Sequence, residues 1–300
     1  MKKIIGLILF INSSAVISEE NSHDVTKTSP TQAPPAENLL EDRLIKRRIA
    51  EADQLSLIPY RENYLVYSYL INGVNQQPID DAFPNEEHSF RDYELQFQLS
   101  FMVPLWTDIL DAPVSLYGAY TNRSFWQFFD PEDSRPFRET NHEPELWVSW
   151  YYDFKWGDLN APMIWFGFRH QSNGQYVSMS RGWNRWYVKA FADYQRLSFS
   201  LIHWDRLQGG APEDRQYDYE KFIGNGEIEL DYAFNKSDLG LKYAYSLAGT
   251  EFGSVTAEFS HPISPTIAFY VRYFNGYGES LIDVEYKSET ISMGIKLNEW

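Results

Sequence analysis

Tyr93-Glu94-Leu95-Gln96-Phe97-Gln98-Leu99-Ser100-Phe101 alternates between apolar and polar residues without a break. Successive side chains of a β-strand point to opposite sides, so a strand with this pattern has one apolar and one polar face. The alternation returns at Gly226-Glu227-Ile228-Glu229-Leu230-Asp231-Tyr232 and at Ile291-Ser292-Met293-Gly294-Ile295-Lys296-Leu297. From Pro59 onward period two dominates. About 12 such runs can be counted, each near the roughly 9–11 residues that a tilted membrane strand needs. They begin near Tyr60, Tyr93, Val114, Glu143, Pro162, Trp183, Arg196, Tyr219, Leu239, Phe252, Ile267 and Ser288.

The links between these runs alternate in length. Short ones fall at Pro104–Asp111, Lys155–Asn160, Asn235–Asp238 and His261–Pro265. Long ones fall at Asn72–Arg91, Gln127–Thr140, Asn173–Gly182, Arg206–Asp218 and Gly276–Lys287. Short turns at one end and long loops at the other are the pattern of an outer-membrane barrel. The chain also ends on an alternating strand closing with Trp300. The expected fold is therefore all-β, a 12-stranded antiparallel transmembrane β-barrel. A soluble β-sandwich would show the same alternation with its apolar faces turned inward, and alternation alone does not say which face points in.

The first residues support export. Lys2 and Lys3 precede an apolar run from Ile4 to Ile11, and Val16 and Ser18 fit a small-x-small cleavage site before Glu19. Residues 1–18 read as a signal peptide, and 19–58 as a short periplasmic leader, disordered apart from an amphipathic helix that 38–54 could form. Residues 59–300 make the barrel. No stretch approaches the roughly 18 apolar residues of a membrane helix. The chain has no cysteine, which excludes disulfides and thiolate metal sites. A formal charge of −16 argues against nucleic acid as a partner, because a phosphate reader needs a basic face. The 10 Trp include Trp106, Trp147, Trp150, Trp156, Trp186 and Trp204 near strand ends or on apolar faces, as aromatic girdles require.

One segment carries candidate chemistry. In Ile164-Trp165-Phe166-Gly167-Phe168-Arg169-His170-Gln171-Ser172-Asn173-Gly174, the even-numbered residues share a strand face, so His170 and Ser172 lie in line with Ile164, Phe166 and Phe168. If that apolar face meets lipid, both polar residues are on the outside of the barrel at the loop end of the strand. The next strand carries Asn184, Trp186, Val188 and Ala190 on one face, and Asn184 can stand beside His170. A hydroxyl, an imidazole and an amide so placed can form a hydrolytic triad, with Asn in the place often held by Asp. A His-x-Ser pair in a strand is by itself more often an ordinary polar pair. Three features favour chemistry: the apolar-face parity, Asn184 on the neighbouring strand, and a Gly/Ser-rich loop between; polar groups exposed to lipid are costly, so their presence there favours function.

On these residues the sequence resembles the outer-membrane phospholipase A family. His170-Gln171-Ser172-Asn173-Gly174 and Ser180-Arg181-Gly182-Trp183-Asn184-Arg185 follow its active-site pattern at matching spacing. Further resemblance lies in Gln96–Ser100 with Pro104-Leu105-Trp106, in Pro136–Pro144, and in Gly276–Asp283. The resemblance implies calcium-dependent hydrolysis of phospholipid and lysophospholipid acyl esters at the outer leaflet, through an acyl-enzyme and with activation by homodimerisation. By position it implies Ser172 as nucleophile, His170 as general base and acid, and Asn184 as orienter. For Ca2+ it implies the carbonyl oxygens of Gln175 and of the partner's Ser134, and the Ser180 hydroxyl. The Ser172 backbone N–H is implied as an oxyanion donor. Two positions depart from the family pattern. Val177 stands where an acidic residue is often found, which puts a calcium site using that carboxylate in doubt. Asn122 stands where a longer Gln would bridge the dimer, which points to a weaker or shifted contact.

A non-catalytic porin or structural barrel is the competing reading, with Arg169, Arg181, Arg185, Glu94 and Glu145 lining a polar lumen or rim. His88, His142, His203 and His261 lack ligand spacing and read as rim, loop or turn residues.

Overall fold

A computed structural model describes residues 56–84, 90–130, 136–175, 179–207 and 217–298. The expected signal peptide, nearly all of the leader, Ser134, Val177, His88 and Trp300 lie outside the described residues. Thirteen strands follow one another: β1 (Ile58–Pro59), β2 (Tyr64–Leu70), β3 (Tyr93–Trp106), β4 (Val114–Trp126), β5 (Phe137–Trp156), β6 (Leu159–Ser172), β7 (Gly182–Tyr194), β8 (Leu197–Arg206), β9 (Gly226–Phe234), β10 (Ser237–Tyr245), β11 (Ser254–Pro262), β12 (Ile267–Gly276) and β13 (Ser288–Leu297). Each strand from β2 to β13 pairs with its chain neighbours, and β13 returns to pair with β2. The result is a closed, twelve-stranded antiparallel barrel with no free sheet edge.

The faces are inverted relative to a soluble protein, and this rules out the sandwich. Leu99, Phe166, Leu201, Ile291 and Met293 are exposed on the outer wall, Phe166 at 60%. Ser68, Gln96, Ser100, Ser149, Thr290 and Ser292 are buried in the lumen. Apolar side chains outside and polar ones inside suit a wall that faces hydrocarbon. Two tryptophans depart from the girdle expectation: Trp106, Trp150 and Trp156 are exposed, but Trp147 and Trp204 lie on the inward parity of their strands and are buried. Trp147 stacks between Tyr60 (5.0 Å) and Trp165 (5.0 Å), and Trp204 Nε1 donates to the Gly224 carbonyl at 2.8 Å.

The first strand is broken. β1 pairs with β3 through Pro59↔Phe101 and β2 through Tyr64↔Gln98, so Tyr60–Asn63 bulge out of the ladder. Their side chains could not face lipid without leaving charge unpaired. They turn inward instead. Arg61 pairs with Glu143 and Glu145, Glu62 with Lys242 at 3.2 Å, and Tyr60 stacks on Trp147. Asn63 replaces the missing ladder bonds, donating to the Ser100 carbonyl (3.1 Å) and accepting from the Ser100 N–H (2.7 Å).

The lumen holds a cavity of about 900 Å³ lined by residues of β6 to β12, among them Trp165, Arg169, Lys189, Glu229, Lys242 and Arg272. Several of its charges occur as pairs: Arg138 with Glu94 (2.9 Å) and Asp283 (2.7 Å), Arg272 with Glu279 (2.8 Å), Lys189 with Glu229 (2.6 Å), and Lys242 with Glu258 (3.1 Å). At the long-loop mouth, residues 277–287 fold down so that Leu281, Ile282 and Val284 are buried. The other end is closed by tight connections, among them the two-residue turn Asn235-Lys236, where Asn235 takes φ 54°. In the 207–225 loop, the expected strand start near Tyr219 is instead a short helix, α1 (Tyr219–Phe222), capped by the Asp218 side chain accepting from the Lys221 N–H.

Candidate active site

β5, β6 and β7 build the site because their register brings three polar outer-face positions to the same height. His170 pairs with Asn184, and Ser172 pairs with Gly182 on one side and His142 on the other. Phe166 and Phe168, in line with His170 and Ser172, are exposed, while Met163 and Trp165 on the opposite parity are buried. His170 and Ser172 therefore sit on the outer wall, at the long-loop end of β6.

His170 Nδ1 lies 2.8 Å from Asn184 Oδ1. An amide oxygen there accepts from Nδ1–H, which leaves the lone pair on Nε2. Among the described residues no hydrogen bond joins Ser172 to the ring. The two residues are one strand repeat apart, about 7 Å along the backbone. The structure thus brings His170 and Asn184 into contact and sets Ser172 beside them on the same face.

The inner face of the same strands is stapled by charge. Glu143 on β5 receives Arg185 of β7 (3.0 Å) and Arg61, and Glu145 receives Arg169 of β6 (2.9 Å). These ion pairs fix the spacing of the three strands from behind, while the outer face at that height carries imidazole, hydroxyl and amide groups and no carboxylate or guanidinium.

The loop after Ser172 is ordered by Asn173. Its Oδ1 accepts from the N–H groups of Arg181 (2.9 Å) and Gln175 (3.3 Å), and its Nδ2 donates to the Met179 carbonyl (2.8 Å). Gln175 and Ser180 are thereby drawn to the two ends of one clasped loop. Gly174 turns the chain with φ 65°, a left-handed conformation that favours glycine. Below, Glu139 accepts from Asn173 (3.3 Å) and Asn141 (2.6 Å), and Asn141 in turn accepts from the Leu281 N–H at 3.0 Å. The mouth loop and the site loop are thus connected.

Reading the sequence left out two side chains that the structure places here. His142 stands across from Ser172 on the outer face, inside β5 rather than in a loop or turn, and its Nδ1 lies 2.6 Å from the Tyr120 hydroxyl. Asn122 lies beside them, its Nδ2 3.4 Å from the same nitrogen. The parity of His142 with Leu146 and Trp150, both exposed, was available as a signal. Its height relative to Ser172 depends on the register of β5 against β6, which the parity does not contain.

Residues 40–297 match the family model described as Phospholipase A1. Phospholipase A1 of Proteus vulgaris is 34% identical over 257 residues, spanning 85% of this chain and 86% of that protein. Phospholipase A1 of Escherichia coli K12 is 33% identical over 258 residues, spanning 85% and 86%. Outer membrane phospholipase A from Escherichia coli has the same architecture, with a TM-score of 0.74 at 32% identity over 81% of this chain and 99% of that one. The Salmonella typhi outer membrane phospholipase dimer with bound calcium gives a TM-score of 0.77 at 30% identity, covering 84% and 96%. The chain belongs to the phospholipase A1 family and is a β-barrel phospholipase of the outer membrane.

Proposed function

We propose that this chain hydrolyses the acyl esters of phospholipids and lysophospholipids from the outside of its barrel, with Ser172 as nucleophile, His170 as base and Asn184 as orienter. The observation that carries this is the 2.8 Å contact between His170 Nδ1 and Asn184 Oδ1 on the lipid-facing wall, one strand repeat from Ser172. Catalytic hydrogen bonds are often long before substrate binds.

In the first half-reaction, Nε2 takes the Ser172 proton as Oγ attacks the ester carbonyl carbon. The imidazolium then returns that proton to the leaving lysolipid oxygen as the ester C–O bond breaks. In the second, Nε2 takes a proton from water, the hydroxide attacks the acyl carbon, and the proton goes back to Ser172 as the fatty acid leaves. Asn184 holds the ring angle and tautomer throughout. Being neutral, it stabilises the imidazolium less than a carboxylate would.

Calcium fits the donor chemistry of the clasped loop. The Gln175 carbonyl and Ser180 hydroxyl are neutral oxygens of the kind a hard cation accepts, and the Asn173 clasp brings their positions together. Ser134 of a second subunit would add a third oxygen. Bound there, the ion supplies polarisation of the ester oxygen. No cluster of three acidic or imidazole ligands occurs among the described residues. With so few charged ligands, affinity belongs in the weak range, on the order of 10⁻⁴–10⁻³ M. The calcium-bound dimer of the Salmonella typhi relative supports a homodimer that holds calcium, and activation by dimerisation follows if each calcium site is completed by the partner's Ser134. Asn122 is already engaged with Ser124 and His142 in its own wall, so apolar packing carries that contact more than its amide does.

The test is fatty-acid release from mixed phospholipid micelles, with calcium and then with chelator, for wild type and Ser172→Ala. Release should require calcium and fall by at least about 10³-fold in Ser172→Ala, with the barrel still heat-modifiable on gels. Undiminished turnover in Ser172→Ala would overturn the proposal.

A further inference from the structure

We propose that His142 is a second substrate-contacting imidazole, whose Nε2–H donates to the ester oxygen that gains charge when Ser172 attacks. The inference rests on the reading of Ser172 as nucleophile. It comes from the opposite tautomers that the wall imposes on its two histidines.

At His170, Nδ1 meets an acceptor, the Asn184 carbonyl oxygen, so Nδ1 carries the proton and Nε2 is a base. At His142, Nδ1 meets the Asn122 amide nitrogen, 3.4 Å away, a group that can only donate. Asn122 Oδ1 is turned the other way, accepting from the Ser124 hydroxyl at 3.1 Å. With an amide N–H on Nδ1, that nitrogen holds the lone pair and the proton sits on Nε2. The Tyr120 hydroxyl, 2.6 Å from Nδ1, can donate or accept and follows that tautomer by donating. One histidine therefore offers a base and the other a donor.

The donor stands beside the reacting position. His142 and Ser172 are directly paired across β5 and β6 on the same face, which puts their Cβ atoms about 5 Å apart. The ring edge bearing Cδ2 and Nε2 faces the chain just after the nucleophile: a Cβ on Gly174 would stand 3.9 and 4.0 Å from those two atoms. Nε2 has no hydrogen-bond partner among the described residues. An unanswered donor on a hydrocarbon-facing wall is costly. A lipid ester oxygen would answer it, most strongly when that oxygen becomes an oxyanion.

The experiment measures kcat and KM for His142→Phe, His142→Gln and Tyr120→Phe on two substrates, a phospholipid in mixed micelles and a phosphate-free acyl p-nitrophenyl ester. His142→Phe should lower kcat by about 10- to 100-fold on both substrates with KM within about twofold, the signature of a contact made in the transition state. His142→Gln, which keeps an amide donor, should recover most of the loss. Tyr120→Phe should lower kcat a few-fold. If His142→Phe does not assemble, His142→Leu reads the same loss of the donor. Unchanged kcat in His142→Phe, an equal loss in His142→Gln, or a loss confined to the phospholipid would each overturn the assignment. Ser172→Ala run alongside separates the two readings. If it is inactive while His142→Phe turns over normally, only the role of His142 fails; if it is fully active, the nucleophile reading fails first.

Discussion

The two faces of β5, β6 and β7 obey different rules although their residues alternate one by one. Inward, Glu143, Glu145, Arg169 and Arg185 are charged and nearly all their charge is matched by a neighbour. Outward, His142, His170, Ser172 and Asn184 are hydrogen-bonding groups set in a wall of Leu146, Phe166, Phe168 and Val188. The inner set has its opposite charges at hand, although Arg169 Nε and Arg185 Nε make no hydrogen bond. The outer set is only partly satisfied, in the one place where water is scarce. Polarity that is paired belongs to the scaffold, and polarity left open against lipid belongs to the chemistry.

This contrast can be broken from either side. The largest effect should come from the lumen. Arg138→Leu leaves Glu94 and Asp283 buried without their cation, and breaking such a pair costs about 3–5 kcal/mol. Unfolding in urea from lipid vesicles should show that loss, while kcat per folded molecule stays within about twofold. A selective loss of kcat with unchanged stability would place the lumen in the chemistry. On the outer face, Asn184→Ala should do the reverse. It frees the His170 ring, lowers kcat by about 10-fold or more, and leaves urea stability unchanged within about 0.5 kcal/mol.

A smaller effect should appear at the mouth. Burial alone would raise the Glu279 carboxyl, but Arg272 and Arg123 beside it hold it below the usual carboxylate range. A carboxyl lowered on folding contributes stability that is present above its unfolded pKa and is lost as pH falls through the folded value. Protection of the 277–287 amides from hydrogen exchange should therefore decrease on acidification below the ordinary carboxylate range. Glu279→Gln should make that protection insensitive to acid in the same window.

Much of this was legible in the residues. Tyr93–Phe101 and Ile291–Leu297 fall in β3 and β13, as their alternation requires. Parity alone put His170 and Ser172 on the face of Phe166 and Phe168. What stayed hidden depends on contacts between strands. Alternation is symmetric with respect to inside and outside, so only the closed barrel shows that the apolar set faces out. β5 starts at Phe137 rather than near Glu143 because a bulge shifts the register between Phe125 and Trp126. Arg138 and Glu139 then both turn inward, which erases the period-two signal there. Tyr60–Asn63 break the first strand for the sake of partners on β3, β5 and β10, far along the chain. Tyr219 leaves the strand pattern because it packs on Trp183, 5.2 Å away, and its hydroxyl receives the Gly182 N–H at 3.1 Å. His142 reads as a rim, loop or turn residue for the same reason, since its place opposite Ser172 lies in register and not in its neighbours along the chain.

The most direct trial of a nucleophile in the outer wall is covalent capture. The detergent-solubilised protein would be treated with a long-chain fluorophosphonate and the modified residue located by peptide mass mapping. A label on Ser172, formed in wild type, slowed by orders of magnitude in His170→Ala and blocked by added lysophospholipid, is the expected result. A label on another serine, or equal labelling of Ser172 once His170 is gone, would contradict the account.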